Sequence, residues 1–562
     1  MSSYRCSIDS PSQDILLDHA FTTLESLGLP ESLWARRLDI WTSDSETQQK
    51  IANRLGWLHA VEFARRETRR LEAFADSVRT AGFTDVVLLG MGGSSLAPEV
   101  MARVFGVAAG QPRFHMLDSV NPAAVRQTLA MADTSLFVLA SKSGSTIEPN
   151  SLAAEARRRV EASGYRRWGD RFVAITDEGT DLHVRATREG FREVFVNPSD
   201  IGGRYSALSL FGLVPAALIG VPLGPFMQHA AALEAECRET PPRQNPGLIL
   251  GAFMSAAAQQ GRDKLTLILP DQLASLGLWI EQLVAESTGK QGQGVVPIAD
   301  EPEVPRYRRD RAGVVVQVGD TPTAPLAVAR LRESGAPVVT VRIPDVTALG
   351  AEFLRWQVAT AATGLLLGVN PFDEPNVQQA KDATRAILSV YSREHRLPTR
   401  PPHATFGNAD LTLSTAAEQK LTRNEAFRFL SLCTDGDYIA LLSYISPFDE
   451  ASARVIVDAR AEIARRTGYA SAFGYGPRYL HSTGQLHKGG PDNGVFIIIT
   501  IAPQEDLPVP GEPYSFGVLE SAQALGDFAS LDQSGRRALH VHLTAPGVGA
   551  LASIFQRLLA FL

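Results

Sequence analysis

The sequence predicts an α/β protein in which parallel sheets are flanked by helices. Short runs rich in β-branched residues alternate with helical stretches along most of the chain, and small polar or glycine-rich loops directly follow two of the runs. At 562 residues the chain is too long for one hydrophobic core, so several domains are expected. A hydrophobic content of 44% and a charged content of 20% are those of an ordinary globular protein.

Residues 1–392 are predicted to hold a helical segment and two sheets. Residues 1–80 are expected to be helical, because apolar residues recur at helical spacing through 51–74. Strand-like runs follow at 85–90, 136–141, 171–176 and 192–196, and a second set at 265–270, 313–319 and 337–343. These two sets predict one domain over residues 81–235 and another over 236–392.

A third unit is predicted at the carboxyl-terminal end. The proline-rich, polar stretch that begins at Arg393 predicts a linker over residues 393–425. Beyond it, strand-like runs at 438–445, 495–500 and 538–543 predict a further α/β domain over 426–562.

Composition and simple sequence patterns argue against a nucleic-acid-binding, membrane-spanning, secreted or metal-binding protein. A net charge of −7 argues against a nucleic-acid surface, which needs a concentrated basic stripe. The uncharged run at 205–227 contains three prolines and three glycines, so we interpret it as a buried helix and turn rather than a membrane span. The amino-terminal residues show no signal-peptide pattern, and the three cysteines are widely spaced, so we expect a cytoplasmic protein. His481 and His487 lack a carboxylate or cysteine at ligand spacing, and no metal site is predicted.

Two loops directly after strand-like runs carry the functional signal. SKSGSTIEPN (141–150) places hydroxyl groups and a lysine where a helix is about to begin, and GMGGSSLAPE (90–99) allows close backbone approach through its glycines. A loop that leads into a helix offers an anion free N–H groups and a positive dipole end. A capping turn would explain either loop alone, but two at neighbouring strand ends indicate a phosphate site. Because the dinucleotide and P-loop fingerprints are absent from both, a small phosphorylated metabolite is favoured over a nucleotide.

These two loops resemble those of the sugar-phosphate-binding SIS domain, and four further segments resemble signatures of the glucose-6-phosphate isomerase family. The segments are DIGGRYSALSLFGL (200–213), AESTGK (285–290), LLGVNPFDEPNVQQAK (366–381) and LHSTGQ (480–485). The resemblance covers roughly residues 50–385 and an isolated patch near 481. It is strongest to the isomerase half of fused transaldolase/glucose-6-phosphate isomerases, without a counterpart of the transaldolase barrel.

The resemblance implies two SIS-type domains and reversible isomerisation of glucose 6-phosphate and fructose 6-phosphate, a step of glycolysis and gluconeogenesis. Such an aldose–ketose conversion needs a base that moves a proton between C1 and C2 through an enediol, and Glu286 is the candidate. Arg204 would face the developing negative charge, and His481 and Lys381 match positions associated with ring opening. The predicted phosphate-binding residues are Gly93, Ser94, Ser141, Lys142, Ser143 and Thr146. No cofactor is implied.

This chain departs from the family pattern in two places. Glu374 stands where the family usually has a glutamine near the substrate, so its carboxylate is expected to affect substrate binding unless Lys381 or another cation neutralises it. The histidine segment follows NPFDEP by about a hundred residues, whereas the family usually has it earlier. A flexible linker could let the third domain supply His481 within one chain, which favours a monomer over the family's dimer.

Two other functions stay open from the sequence. One is a dual enzyme that also isomerises mannose 6-phosphate, which needs the same base and a looser pocket around C2. The other is a non-catalytic sugar-phosphate sensor that keeps the phosphate loops. Glu286 and Lys381 argue against the sensor, because it has no need of a base.

Overall fold

The structure is a computed structural model that describes residues 4–9 and 15–562, without the side chains of 423 and 424. Within this range its strands, β1 to β16 in chain order, are Cys6–Asp9, Asp85–Gly90, Arg113–Leu117, Ser135–Ala140, Phe172–Asp177, Glu193–Asn197, Lys264–Ile268, Val296–Ile298, Arg311–Val318, Val338–Ile343, Ala404–Phe406, Ala409–Leu413, Tyr438–Tyr444, Ala470–Tyr475, Gly494–Ile501 and Arg537–Leu543.

The α-helices are numbered in the same way. From α1 to α20 they are Ile15–Ser26, Glu31–Trp34, Ser45–Ala52, Ala60–Thr80, Leu96–Phe105, Pro122–Thr128, Ile147–Ala162, Asp181–Arg188, Leu210–Ile219, Leu223–Glu239, Pro246–Gln259, Leu276–Thr288, Pro325–Glu333, Leu349–Leu367, Pro375–Glu394, Thr415–Glu418, Glu450–Thr467, Gly484–Gly489, Phe516–Gln533 and Val548–Leu559.

The first sheet has the strand order β3-β2-β4-β5-β6, and its pairs are all parallel. Alternate residues of its central strands enter hydrophobic cores on opposite faces, which explains the nearly continuous apolar runs in the sequence. Gly90 at the end of β2 pairs with Ala140 at the end of β4. The two loops predicted to bind phosphate therefore leave the same edge of the sheet side by side.

The second sheet has the order β1-β10-β9-β7-β8. Strand β1 lies at its edge and pairs antiparallel with β10, whereas the other pairs are parallel. The prediction of a helical segment over residues 1–80 is therefore wrong at residues 6–9, which form a strand; residues 1–3 and 10–14 lie outside the described part. One hydrophobic core joins the first two sheets, so the predicted boundary at 235/236 stays a prediction.

The third sheet has the order β11-β12-β16-β15-β13-β14. Its strands β13 to β16 pair in parallel, and β12 joins β16 antiparallel. Residues 404–413 thus form a hairpin at the sheet edge, and α16 follows, so the linker predicted over 393–425 is too long. Alternate residues of β12 are buried in the core of this unit, and that burial holds the segment in place: Ala409, Leu411 and Leu413.

The third sheet packs closely on the rest of the chain. One of its faces shares a hydrophobic core with Ala285 of α12 and Ile298 of β8, and this core also contains Leu480. The buried guanidinium of Arg460 donates a hydrogen bond from Nη2 to the backbone oxygen of Ala299 at 2.9 Å. These contacts bring the histidine segment, residues 480–485, next to the helix that carries Glu286.

The uncharged run at 205–227 forms a helix and a turn inside the protein, as predicted. Helix α9 is buried along its whole length and ends at Ile219, and the next residue, Gly220, has φ of 81°. Helix α10 starts three residues later at Leu223. No helix in the described part of the chain is long and apolar enough to cross a membrane.

Candidate functional site

One cleft of about 520 Å³ lies where the loops leave the carboxyl edge of the first sheet. Helices α12 and α15 and the histidine segment complete its walls. Every residue predicted for the site lines this cleft: Gly93, Ser94, Ser141, Lys142, Ser143, Thr146, Arg204, Glu286, Glu374, Lys381 and His481. Residues from all three sheet-containing regions thus meet in one place.

The hydroxyl loop runs from the end of β4 to the start of α7. Ser141 Oγ lies 3.2 Å from Thr146 Oγ1, so both hydroxyls are held at the same point of the cleft. Thr146 is the residue before the helix, and its side chain makes no capping hydrogen bond. The positive end of α7 is therefore not capped by this hydroxyl, which leaves it able to bind an anion. Gly144 has φ of 69°, which closes the turn.

The glycine turn after β2 brings a second loop close. A Cβ atom at Gly93 would lie 2.1 Å from the backbone oxygen of Gly203, so only glycine fits there. This approach places the turn against Arg204 in the GGRYS segment. Ser94 lies in the same turn and is buried at the cleft floor.

The positive charges of the cleft differ in how they are held. Lys142 Nζ forms an ion pair with Asp177 and donates a hydrogen bond to the Ser199 backbone oxygen at 2.7 Å, so part of its charge is already neutralised. Within the described residues, neither Arg54 nor Lys381 lies within 4.0 Å of a carboxylate oxygen. Arg54 was not predicted, because nothing in its local sequence distinguishes it from an ordinary residue near a helix end.

Arg204 is buried between two loops and two carboxylates. Its Nη2 donates to the backbone oxygens of Pro371 at 2.8 Å and Asp373 at 2.9 Å, which fixes the guanidinium plane. Its Nη1 lies 3.3 Å from Oε1 of Glu286 and 3.1 Å from Oε2 of Glu374. The arginine therefore joins the candidate base to the residue that departs from the family pattern.

The two carboxylates around Arg204 have pKa values shifted in opposite directions. Burial raises the pKa of Glu286, the charge of Glu374 raises it further, and the attraction of Arg204 only partly offsets both. Burial also disfavours the charged form of Glu374, but the charge and hydrogen bond of Arg204 outweigh it and lower that pKa. A base with a raised pKa accepts and returns a proton more readily near neutral pH.

His481 is held in the cleft by residues of the same chain. Its Nε2 lies 2.8 Å from Oε1 of Glu148, and Gln523 Nε2 donates to the same oxygen at 2.7 Å. The backbone oxygen of His481 accepts a hydrogen bond from Gln282 Nε2 at 2.7 Å. Burial raises the pKa of Glu148, but the interactions with His481 reverse that effect and the net pKa is lowered.

Comparisons of the sequence find similar proteins that are named for one activity. The family model described as phosphoglucose isomerase matches residues 66–297. A glucose-6-phosphate isomerase from Parasynechococcus marenigrum is 32% identical over 354 residues, which are 55% of this chain and 64% of that protein. One from Citrifermentans bemidjiense is 27% identical over 444 residues, which are 68% of this chain and 83% of that protein. Over these residues the chain is similar to the phosphoglucose isomerase family.

Two solved structures have a fold similar to that of this chain. A hypothetical protein from Thermus thermophilus is 25% identical, with a TM-score of 0.56 over 68% of this chain and 99% of that one. A glucose-6-phosphate isomerase from Chlamydia trachomatis is 19% identical, with a TM-score of 0.55 over 69% of this chain and 89% of that one. The chain spans just under two thirds of the length of the Parasynechococcus relative.

The phosphoglucose isomerase match covers only part of the cleft. Residues 66–297 include both phosphate loops, Arg204 and Glu286, whereas Lys381 and His481 lie outside. For these two residues the support is their place in the cleft. Lys290, in the AESTGK segment, was also missed: it is buried, and its Nζ lies 2.8 Å from Oδ1 of Asp373. Burial and the charge of Arg204 lower the pKa of Lys290 to about 8.

Glu148 is a third residue of the site that the sequence did not predict. It belongs to SKSGSTIEPN and lies in the first turn of α7, where an acidic residue is ordinary. Its role beside His481 depends on a contact between residues 333 positions apart. Among the described residues, no group of three or more histidine, cysteine or acidic side chains is arranged to hold a metal ion.

Proposed function

We propose that the protein interconverts glucose 6-phosphate and fructose 6-phosphate through a cis-enediol intermediate. The main support for this proposal is the position of Glu286, a buried carboxylate with a raised pKa. It lies beside Arg204 in the cleft that also contains the hydroxyl loop. Relatives that share about 30% identity are named glucose-6-phosphate isomerase, which supports this assignment.

The phosphate of the sugar binds at the two loops of the first sheet. Hydroxyl groups of Ser94, Ser141 and Thr146 donate to its oxygens, and the amino-terminal end of α7 adds a positive potential. Lys381 and Arg54 contribute charges that no carboxylate of the described residues neutralises by direct contact. Binding energy from this remote group positions the reacting carbons.

The proton transfer takes place at Glu286. Its carboxylate removes the proton from C2 of the open aldose and returns it to C1, and the reverse reaction uses the same group. Negative charge develops on the oxygens of the enediolate, and the fixed charge of Arg204 stabilises it. The hydrogen bonds from Arg204 to Pro371 and Asp373 hold that charge in place before the substrate arrives.

Ring opening is assigned to His481 and Lys381. An ionised Glu148 can only accept a hydrogen bond, so Nε2 of His481 carries a proton and the tautomer of the neutral ring is fixed. The step needs one group that removes the proton of the C1 hydroxyl and one that protonates the ring oxygen. The histidine and the lysine together can supply both.

Under this proposal one chain contains a complete site. His481 reaches the cleft from the third sheet of the same chain, where Glu148 and Gln282 hold it. A monomer is therefore sufficient for catalysis. We place the reaction in the cytoplasm, which the three free cysteines support.

A coupled assay tests the proposal. Purified protein is mixed with fructose 6-phosphate, and formation of glucose 6-phosphate is followed through its dehydrogenase and NADP. Deuterium uptake at C2 from D₂O, measured by NMR, checks the enediol. Turnover of mannose 6-phosphate would reveal the dual enzyme. Binding of sugar phosphates without turnover, with Glu286→Gln binding equally well, would overturn the proposal in favour of a sensor.

A further inference from the structure

Arg478 and His481 are the first and last residues of one short 3-10 helix, Arg478–His481. The Nε atom of Arg478 donates to the carboxylate of Asp118, and its Nη2 donates to that of Glu99. Both acids are buried, and the arginine side chain is 17% exposed. The guanidinium of Arg478 thus bridges two carboxylates. Arg478 itself lies three residues before His481, the candidate ring-opening histidine.

The two acids lie in elements next to the glycine turn, which is one of the two loops predicted to bind phosphate. Glu99 lies in α5, which begins two residues after the glycine turn at Gly92–Ser94. Asp118 directly follows β3, the strand next to β2. The bridge therefore connects the histidine helix to the same elements that position the phosphate of the substrate.

The other end of the 3-10 helix is fixed separately. His481 bonds Glu148 through its ring and Gln282 through its backbone oxygen. Gly92 is also part of this contact, since a Cβ atom there would lie 2.6 Å from the backbone oxygen of His481. The position of the imidazole thus depends on both ends of the helix being held.

We propose that Arg478 is a positioning residue that sets the place of His481 relative to the glycine turn at Gly92–Ser94. The inference rests on the proposed isomerase function for its kinetic consequence. Arginine suits the role because its planar fork donates to two carboxylates at once, which lysine cannot do with the same geometry. Without it, Glu99 and Asp118 would be two buried carboxylates without this shared counterion, and the helix would move away from them.

A variant of another buried arginine, Arg460, can distinguish a loss of His481 positioning from a general loss of stability. Arg460 also lies in the third unit, and it donates to the backbone oxygens of Ala299 and Ser471. It joins the third sheet to the second one, and none of its hydrogen bonds in the described structure reaches the histidine helix. Arg460→Met is therefore the matched control for Arg478→Met, and Arg478→Lys tests the need for the fork.

The kinetic test is a double-mutant cycle in the full chain. We expect Arg478→Met to lower kcat by about 10²-fold with a smaller change in KM, because a small misplacement of a reacting group costs that much. In a His481→Ala background the same substitution should lower kcat no further. Equal losses in both backgrounds, or an equal loss in Arg460→Met, would overturn the proposal.

A second readout does not depend on turnover. With selective ¹⁵N-histidine labelling, the Nε2–H signal of His481 is identified by its loss in His481→Ala. We expect it to shift and exchange faster with water in folded Arg478→Met, because the bond to Glu148 is weakened, and to stay unchanged in Arg460→Met. An unchanged signal in folded Arg478→Met would overturn the positioning role. Absent wild-type turnover with the expected NMR change would overturn only the isomerase function.

Discussion

Nη1 of Arg204 lies 3.1 Å from Oε2 of Glu374, the residue that stands in place of the family's usual glutamine. From the sequence, this carboxylate is expected to affect substrate binding unless Lys381 or another cation neutralises it. The cation in contact with it is Arg204 rather than Lys381. Because the same Nη1 also contacts Glu286, the departure bears on the base as well as on substrate binding.

Glu374→Gln should shift the pH dependence of the reaction. The charge of Glu374 raises the pKa of Glu286, so its removal should lower that pKa. The base works only when ionised, and the rate therefore falls on the acid side of its pKa. We expect the acid limb of kcat/KM against pH to move to lower pH. Asp382→Asn is the control, because Asp382 lies in the helix that follows Glu374 and its carboxylate contacts Gln378 and Arg385. An acid limb that stays in place or moves to higher pH in Glu374→Gln would contradict the coupling.

Glu286→Gln should abolish proton transfer and leave phosphate binding nearly intact. Loss of a general base typically lowers the rate by about 10²- to 10⁴-fold. The amide can keep a polar contact with Arg204, so the cleft should remain folded. Turnover is measured with the coupled assay and binding by inhibition with inorganic phosphate. If the variant keeps more than about half of the wild-type turnover, the base has been assigned to the wrong residue.

The sheets were largely predictable because a strand that is buried on both faces appears in the sequence as a continuous apolar run. Strands β2, β4, β13 and β15 are runs of apolar, mostly branched residues, and each was predicted within a residue or two of its bounds. The strands that were missed are short or partly polar, as in the edge strands β1 and β11. Such a strand depends on pairing with a distant partner, which no local pattern records.

The site was predictable only where a motif carries its residues. Glu286 and Arg204 lie in segments that resemble family signatures, whereas Glu148 and Arg54 acquire their surroundings from distant parts of the chain. Lys142 was predicted to offer its charge to the phosphate, but part of that charge is neutralised by Asp177. This pairing could not be inferred from the loop that contains Lys142. Motifs identify chemistry, and tertiary contacts decide which charges remain available.

Replacing Ser141 and Thr146 together with alanine should weaken the binding of sugar phosphates and of free phosphate alike. Each hydrogen bond to a charged group contributes roughly 1.5–3 kcal/mol. The two hydroxyls lie 3.2 Å apart in the cleft, so both can reach one phosphate. Inhibition constants for inorganic phosphate measure the loss. Ser163→Ala, at the far end of α7, serves as the control, and an unchanged constant in the double variant would move the anion site elsewhere.

His540 should make the protein lose stability in acid. It is buried with Nε2 2.8 Å from Thr500 Oγ1, and burial, with a smaller effect from His542, lowers its pKa to about 3. The unfolded chain binds a proton there below about pH 6.5 and the folded protein does not, so stability falls as pH drops from 6.5 towards 3. The loss is up to about 1.4 kcal/mol per pH unit. Urea unfolding at pH 7 and 5 should show a smaller loss for His540→Gln than for wild type, whereas exposed His19→Gln should match wild type.

Mixing two impaired variants should not restore wild-type activity, because under the proposed function one chain contains the complete site. Leu480 and Ala285, the neighbours of His481 and Glu286, belong to the same hydrophobic core, so the histidine cannot reach another chain unless the third unit leaves this core. We expect a mixture of His481→Ala and Glu286→Gln proteins to keep only the low residual activity of the separate variants, even after joint unfolding and refolding. Wild-type activity per chain should not fall on dilution, while light scattering at assay concentration gives the mass. Each variant refolded alone is the control. A stable dimer whose mixed form regains turnover would contradict the prediction, because only exchange of the histidine between subunits could rebuild a complete site.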